Sequence, residues 1–141
     1  MLTAKLYLDN LRRPDIFADM EIRKAKVTDA GTINSLISEY AERDIMLHRS
    51  HSDIYKNLQA FTVAELDGEV VGCCALEVIW SDLAEIKSLA VHKNNTSSGI
   101  GSALVKSTLE QAGRLGIHKL FALTLDPQFF VKFGFEKVEK K

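Results

Sequence analysis

The apolar residues of this chain recur with two periods, and the switches between them mark out its elements. "EIRKAKV" (21–27) alternates and predicts a strand. "TDAGTINSLISEYAERD" (28–44) offers Thr28 or Asp29 as an N-cap, then places Ile33, Leu36, Ile37 and Tyr40 at helical spacing. "SHSDIYKNLQ" (50–59) predicts a second short helix. Two β-rich runs in 61–80 flank Asp67-Gly68, a hairpin signal, and 82–91 predicts another strand. Helical spacing returns in the stripe Ile100, Ala103, Leu104, Ser107, Thr108, Gln111, Ala112 and Leu115, closed by Gly116. A strand (118–125), a short helix with Pro127 at N1 (126–133) and a last strand (134–140) follow.

This order is β-α-α-β-β-β-α-β-α-β. Three consecutive strands with a hairpin argue for an antiparallel core. The strand–helix–strand from 82 to 125 argues for one parallel, right-handed crossover. The fold expected is α/β (α+β), a mixed and mostly antiparallel sheet of six or seven strands with helices on both faces. Residues 1–19 can be an extra strand, an arm on a partner or a disordered extension, and Met20 can begin the domain.

Length and composition narrow the function without naming it. The 141 residues suit one domain, and a net charge of −1 gives no global pull toward nucleic acid or anionic membrane. The N-terminus lacks the apolar stretch of a secretory signal and no run is long enough to span a bilayer, so a cytoplasmic protein is expected. Cys73 and Cys74 are adjacent and point to opposite faces of a strand, which favours buried small side chains over a disulfide. His48, His51, His92 and His118 are too scattered for a zinc site, so no metal is expected.

"NNTSSGIGSALV" (94–105) runs from a polar loop into a helix, with Gly99 and Gly101 at the junction. The plain reading is a flexible turn with caps. The chemical reading is an anion site: a helix N-terminus presents unpaired N–H groups and positive dipole, glycines admit a phosphate, and Ser97, Ser98 and Ser102 add hydroxyls. It is neither a Walker loop nor the dinucleotide fingerprint.

"AEIKSLAVHKNNTSSGIGSALV" with "GIHKLFALTLDPQFFVKFGFEKV" resembles the GNAT superfamily of acetyl-CoA-dependent N-acetyltransferases, in element order over residues 20–140. Within it, "DGEVVGCCAL", "LAEIKSLAV" and "FFVKFGF" look most like stand-alone amino-acid acetyltransferases of the N-acetylglutamate synthase type. The domain is then 20–141, after an extension 1–19. The family's pyrophosphate loop, Gln/Arg-x-x-Gly-x-Gly/Ala, falls on Thr96-Ser97-Ser98-Gly99-Ile100-Gly101, with Thr96 in place of Gln or Arg and Ser98 where a basic residue is common. Loss of one charge-assisted contact weakens binding by about 1–3 kcal/mol, which Lys93 or Lys132 can offset.

The resemblance implies a splay between strands 83–91 and 118–125, in which the pantetheine arm of acetyl-CoA, a co-substrate, pairs with backbone around Leu89, Ala90 and Val91. The pyrophosphate then rests on 97–102. Glu85, eleven residues before Thr96, corresponds to the general base that several members carry, or else it pairs with Lys87 on a solvated strand face; alternation places it with Leu83, Lys87 and Leu89 unless a bulge intervenes. A backbone N–H near Leu89 would stabilise the oxyanion. Phe130 stands where many members carry a Tyr acid, so Phe129 and Phe130 read as core or cofactor-packing residues. Arg49, in "MLHRS", corresponds to an Arg that holds the acceptor's α-carboxylate, with Lys87 as a second contact, or else it faces solvent.

The implied acceptor is a small amino acid, glutamate first, and arginine biosynthesis follows by analogy. Members of this type continue past the last strand, so part of the acceptor wall is expected to be missing, to come from another subunit, or to be replaced by residues 1–19. No fused amino-acid kinase domain is read here, so feedback through one is not expected. A homodimer through an exposed final strand is expected. Two other readings stand beside this one: acetylation of a protein N-terminus or lysine, and a non-catalytic CoA-binding module.

Overall fold

The computed structural model describes residues 2–4 and 19–138. It contains strands β1 (Leu2–Ala4), β2 (Met20–Lys24), β3 (Phe61–Leu66), β4 (Glu69–Trp80), β5 (Leu83–Val91), β6 (Leu120–Ala122) and β7 (Glu136–Lys137). Its helices are α1 (Ala30–Glu42), α2 (His51–Lys56), α3 (Ile100–Arg114) and α4 (Pro127–Val131). The strands form one sheet in the order β2-β3-β4-β5-β6-β1-β7. β2 to β5 pair antiparallel, and β5 with β6 is the parallel crossover through α3.

Local chemistry accounts for the turns. Asp67 and Gly68 both take positive φ, 51° and 83°, as a two-residue hairpin between β3 and β4 requires. Gly116 (φ 83°) ends the α3 segment and Pro127 opens α4. Asp29 stands at the cap position of α1, but its carboxylate turns to the Lys26 N–H (2.7 Å) and to Arg23.

The sheet has an apolar layer on each face. One joins Ile100, Leu104, Leu109, Phe130 and Phe135 to Cys74, Ile86 and Val91. The other joins Ile33, Ile37, Ile54 and Phe61 to Cys73, Ala75 and Ala90. The adjacent cysteines thus fill opposite cores as free thiols, and burial pushes both thiol pKa values up, that of Cys74 to about 12. Gly72 sets the height of α3: a Cβ there would lie 3.0 Å from Leu104 Cδ1 and 3.2 Å from Ile100 Cγ2, so the helix seats on bare backbone.

Three features of the sheet shape the site. β6 spans only Leu120–Ala122, and its pairing with β5 stops after Ala84↔Leu120 and Glu85↔Phe121. From Ile86 onward β5 has no strand beside it on that edge among the described residues, which is the expected splay. β5 also carries a bulge: the register runs from Ala75↔Lys87 to Cys73↔Ala90, and Ser88 takes φ 55°. The extra residue moves Leu89 to the α3 face, away from Glu85 and Lys87, which correctly ends the simple alternation. Finally, β1 lies antiparallel between β6 and β7, with Thr3 opposite both Phe121 and Glu136. So part of the 1–19 segment is a strand of this sheet; residues 5–18 lie outside the described residues, as do 139 and 140 of the expected last strand, of which 136 and 137 form β7.

Candidate active site

β5 divides the site. On its α3 side the chain leaves Val91, caps a 3-10 turn (Lys93–Asn95) with His92, whose Nδ1 accepts from the Asn94 N–H at 3.1 Å, and turns into α3. Ser97 (φ 63°) and Gly99 (φ 92°) both take left-handed backbone, which aims the start of α3 back along the loop. Glycine adopts this without strain; serine does so at some cost. A helix start leaves its first N–H groups without intrahelical partners, here those around Ile100, Gly101 and Ser102. The Thr96 hydroxyl donates to the Lys93 carbonyl (3.3 Å) and that of Ser98 to the Asn95 carbonyl. These two side chains shape the loop.

α4 closes over this junction. A Cβ on Gly101 would sit 3.4 Å from the Phe129 ring and 3.7 Å from Val91 Cγ2. Phe129 meets Phe130 edge-on at 5.1 Å, and Phe130, buried in the core, meets Phe135 at 5.3 Å. Lys132 holds its ammonium 4.6 Å from the centre of the Phe129 ring and 5.4 Å from that of Phe133. This brings a cation beside the α3 N-terminus; Lys93 is exposed on the other flank of the loop.

At the end of β5 the Tyr40 hydroxyl donates to the Val91 carbonyl at 2.7 Å, and the His92 N–H donates to the Val71 carbonyl at 2.7 Å. α1 is thereby tied to β5 at the edge that faces away from β4.

The opposite face of β5, under α1 and α2, carries the charged cluster. Before the bulge, Ala84 and Ile86 point into the α3 core, so Glu85 and Lys87 point to the α1/α2 side. Glu85 stands opposite Glu77 in β4, and Lys87 reaches Glu77 Oε2 at 2.8 Å. Lys87 is thus paired with Glu77 rather than with its strand neighbour Glu85. Arg49 comes from the segment just before α2 and is not solvent-facing: 12% of its side chain is exposed. Its Nε donates to Asp53 Oδ2 (2.6 Å), its Nη1 donates to Ser88 Oγ (3.2 Å), and its guanidinium lies 5.0 Å from the centre of the Phe61 ring. The Asn34 amide donates to the Arg49 carbonyl at 2.8 Å and anchors the segment to α1. The Arg49 hydrogen bond is the first cause holding the Asp53 carboxyl below its ordinary value.

The structure therefore gathers Glu85, Lys87 and Arg49 on one face of β5 and the 96–102 loop with Phe129 on the other side. Sequence reasoning missed Asp53, Ser88 and Tyr40. The spacing of Arg49 and Asp53, four apart, was a readable signal for their pairing; nothing local marks Ser88 or Tyr40. Among the described residues no three His, Cys, Asp or Glu side chains gather into a metal-binding group, and no helix is long and apolar enough to cross a membrane.

With this geometry in place, the similarities to known proteins are specific. An uncharacterized N-acetyltransferase of Chlorobaculum tepidum is 38% identical over 88% of this chain and 80% of its own length. The amino-acid acetyltransferase of Mycobacterium tuberculosis is 40% identical over 84% of this chain and 69% of its own. Among solved structures, the N-acetylglutamate synthase of Neisseria gonorrhoeae, complexed with coenzyme A and N-acetyl-glutamate, superposes with a TM-score of 0.82 at 33% identity, over 85% of this chain and 29% of the synthase. Residues 30–135 match the acetyltransferase (GNAT) family. The splayed sheet, the left-handed loop into α3 and these matches lead to one conclusion: the chain belongs to the GNAT family and is an N-acetyltransferase of that type.

Proposed function

We propose that the protein transfers the acetyl group of acetyl-CoA to the α-amino group of a small amino acid, glutamate first, by direct attack with Glu85 as general base. The observation that carries this reading is Arg49: a guanidinium held against β5 on the face that also bears Glu85. Two features of this chain fit a CoA molecule. The edge of β5 beyond Glu85 has no strand beside it among the described residues, and the start of α3 follows a loop turned by left-handed Ser97 and Gly99, with Lys132 over the Phe129 ring. When bound, acetyl-CoA supplies an activated acetyl group as a thioester.

The protein's own residues then do three things. Arg49 holds the acceptor's carboxylate and so fixes the amine near β5. Glu85 takes the proton that an amine carries at pH 7, freeing its lone pair. A backbone N–H at the bulge, near Leu89, faces the carbonyl oxygen that gains charge. Leu89, Ala90 and Val91 with Thr96 to Ser102 and Phe130 form the donor side, and Lys87, through Glu77, tunes the charge beside Glu85. The catalytic domain is residues 20–141, with 1–19 an extension that lends β1 to its sheet. β7, at the sheet edge, supports a homodimer. A cytoplasmic place in arginine biosynthesis accords with the relatives' amino-acid acetyltransferase names.

The test is a thiol-release assay with acetyl-CoA against each amino acid, polyamines and peptides. Turnover greatest with glutamate is expected. Release only with peptides would replace this reading with protein acetylation, and CoA binding without release from any acceptor would replace it with a binding module.

A further inference from the structure

The carboxylate of Asp53 touches nothing that reacts, yet it decides how Arg49 is presented. Its Oδ2 accepts the Arg49 Nε–H at 2.6 Å, and its Oδ1 accepts from Asn57 Nδ2 at 2.9 Å. Its own N–H donates to Ser50 Oγ at 3.0 Å, so Asp53 is locked into the first turn of α2. A guanidinium binds a carboxylate bidentately through one of two edges, Nε with an Nη or the two Nη groups end-on. Asp53 takes Nε and closes the first. The Phe61 ring covers one face of the guanidinium. What remains is the end-on edge, and Ser88 Oγ, 3.2 Å from Nη1, takes one of the two Nη1 protons. The Ser88 hydroxyl accepts from Arg49, and its own proton has no acceptor among the described residues. Its left-handed backbone at the bulge puts that hydroxyl one residue from Leu89.

We infer that Asp53 is a positioning residue that fixes Arg49 end-on, so that the two Nη groups and the Ser88 hydroxyl form a three-donor seat for the acceptor's α-carboxylate. The inference rests on the reading of Arg49 as the carboxylate site. It selects acceptors that carry a carboxylate beside the amine, and it ties the seat to the bulge next to the reacting carbonyl.

The experiment compares L-glutamate with its α-amide, which lacks that carboxylate, in Asp53→Asn, Ser88→Ala and Arg49→Ala. KM and kcat are measured, together with glutamate affinity by titration calorimetry on CoA-saturated protein. Asp53→Asn is expected to raise KM and Kd for glutamate about tenfold, with kcat within about twofold and KM for the α-amide unchanged. Ser88→Ala is expected to act in the same sense, about threefold. Asp53→Glu, which keeps the charge, is expected to recover part of the loss. Equal losses for glutamate and the α-amide, or a fall in kcat with KM untouched, would make Asp53 a merely structural part of α2 and overturn the inference. Ser88→Ala decides the seat independently of how well the Asp53 variants fold. If Arg49→Ala leaves glutamate KM unaltered, the carboxylate reading of Arg49 itself fails, which is a distinct result.

Discussion

Residues 92–102, on one side of β5, and residues 49–53, on the other, contrast in what they offer a ligand. The first stretch offers backbone. Its hydroxyls at Thr96 and Ser98 are turned into the loop, and Ser97 and Gly99 set the direction of the amides. The second offers side chains, each oriented by another: Asp53 and Ser88 on Arg49, Phe61 beneath it, Asn34 on its carbonyl. A backbone surface survives side-chain exchange, because the conformation and not the side chain makes the contact. A side-chain cluster fails when one member goes, because its partner is left without a counter-charge.

Substitutions can sharpen or break that contrast. The largest effect is expected at Glu85, the proposed base. Glu85→Gln keeps the shape and removes the proposed base, and kcat should fall about 10²–10⁴-fold with CoA affinity by calorimetry unchanged; near-normal kcat would assign the proton to another group. Arg49→Ala should raise KM for glutamate about 10–100-fold, the loss of a charged hydrogen-bond pair worth about 1.5–3 kcal/mol, and leave KM for acetyl-CoA alone. Equal changes in both KM values would erase the distinction between the two sides. On the backbone side, Thr96→Ala should shift CoA affinity within about twofold, whereas Thr96→Gln should tighten it about three- to tenfold by adding a donor. A large loss in Thr96→Ala would show that the loop depends on its side chains after all.

The smallest effect concerns stability and leaves both sides intact. Asp29, buried, is held below the ordinary carboxylate value first by its hydrogen bonds to Arg23, at 2.7 and 3.1 Å. The folded state therefore binds that proton less readily than the unfolded chain does. Its stabilisation is complete above about pH 4 and is lost as pH falls through the folded value. Asp29→Asn should flatten the fall of the thermal midpoint below about pH 4; an unchanged slope would place the acid sensitivity elsewhere.

Much of this molecule could be read one short stretch at a time. The order of helices and strands, the hairpin at Asp67-Gly68, the left-handed Gly99 and Pro127 at the first turn of α4 each follow from residues close together in the chain. The bulge at Ser88 does not. "IKSLAV" carries no glycine to announce it, and it exists because β4 and β5 are held in one register before it and another after it. Its consequence, Leu89 on one face and Glu85 on the other, was invisible to alternation. The pairing of Arg49 with Asp53 lay within reach of spacing, but the contact with Ser88, 39 residues on, needed the fold.

A backbone dihedral depends on the side chain attached to it and on its immediate neighbours, so periodicity and turn chemistry carried the elements and the amide-lined loop. Which strand lies beside which, where β1 enters between β6 and β7, and what holds a guanidinium still depend on groups far apart in the chain. Those are settled by the shared burial of whole surfaces, a property that no short stretch contains.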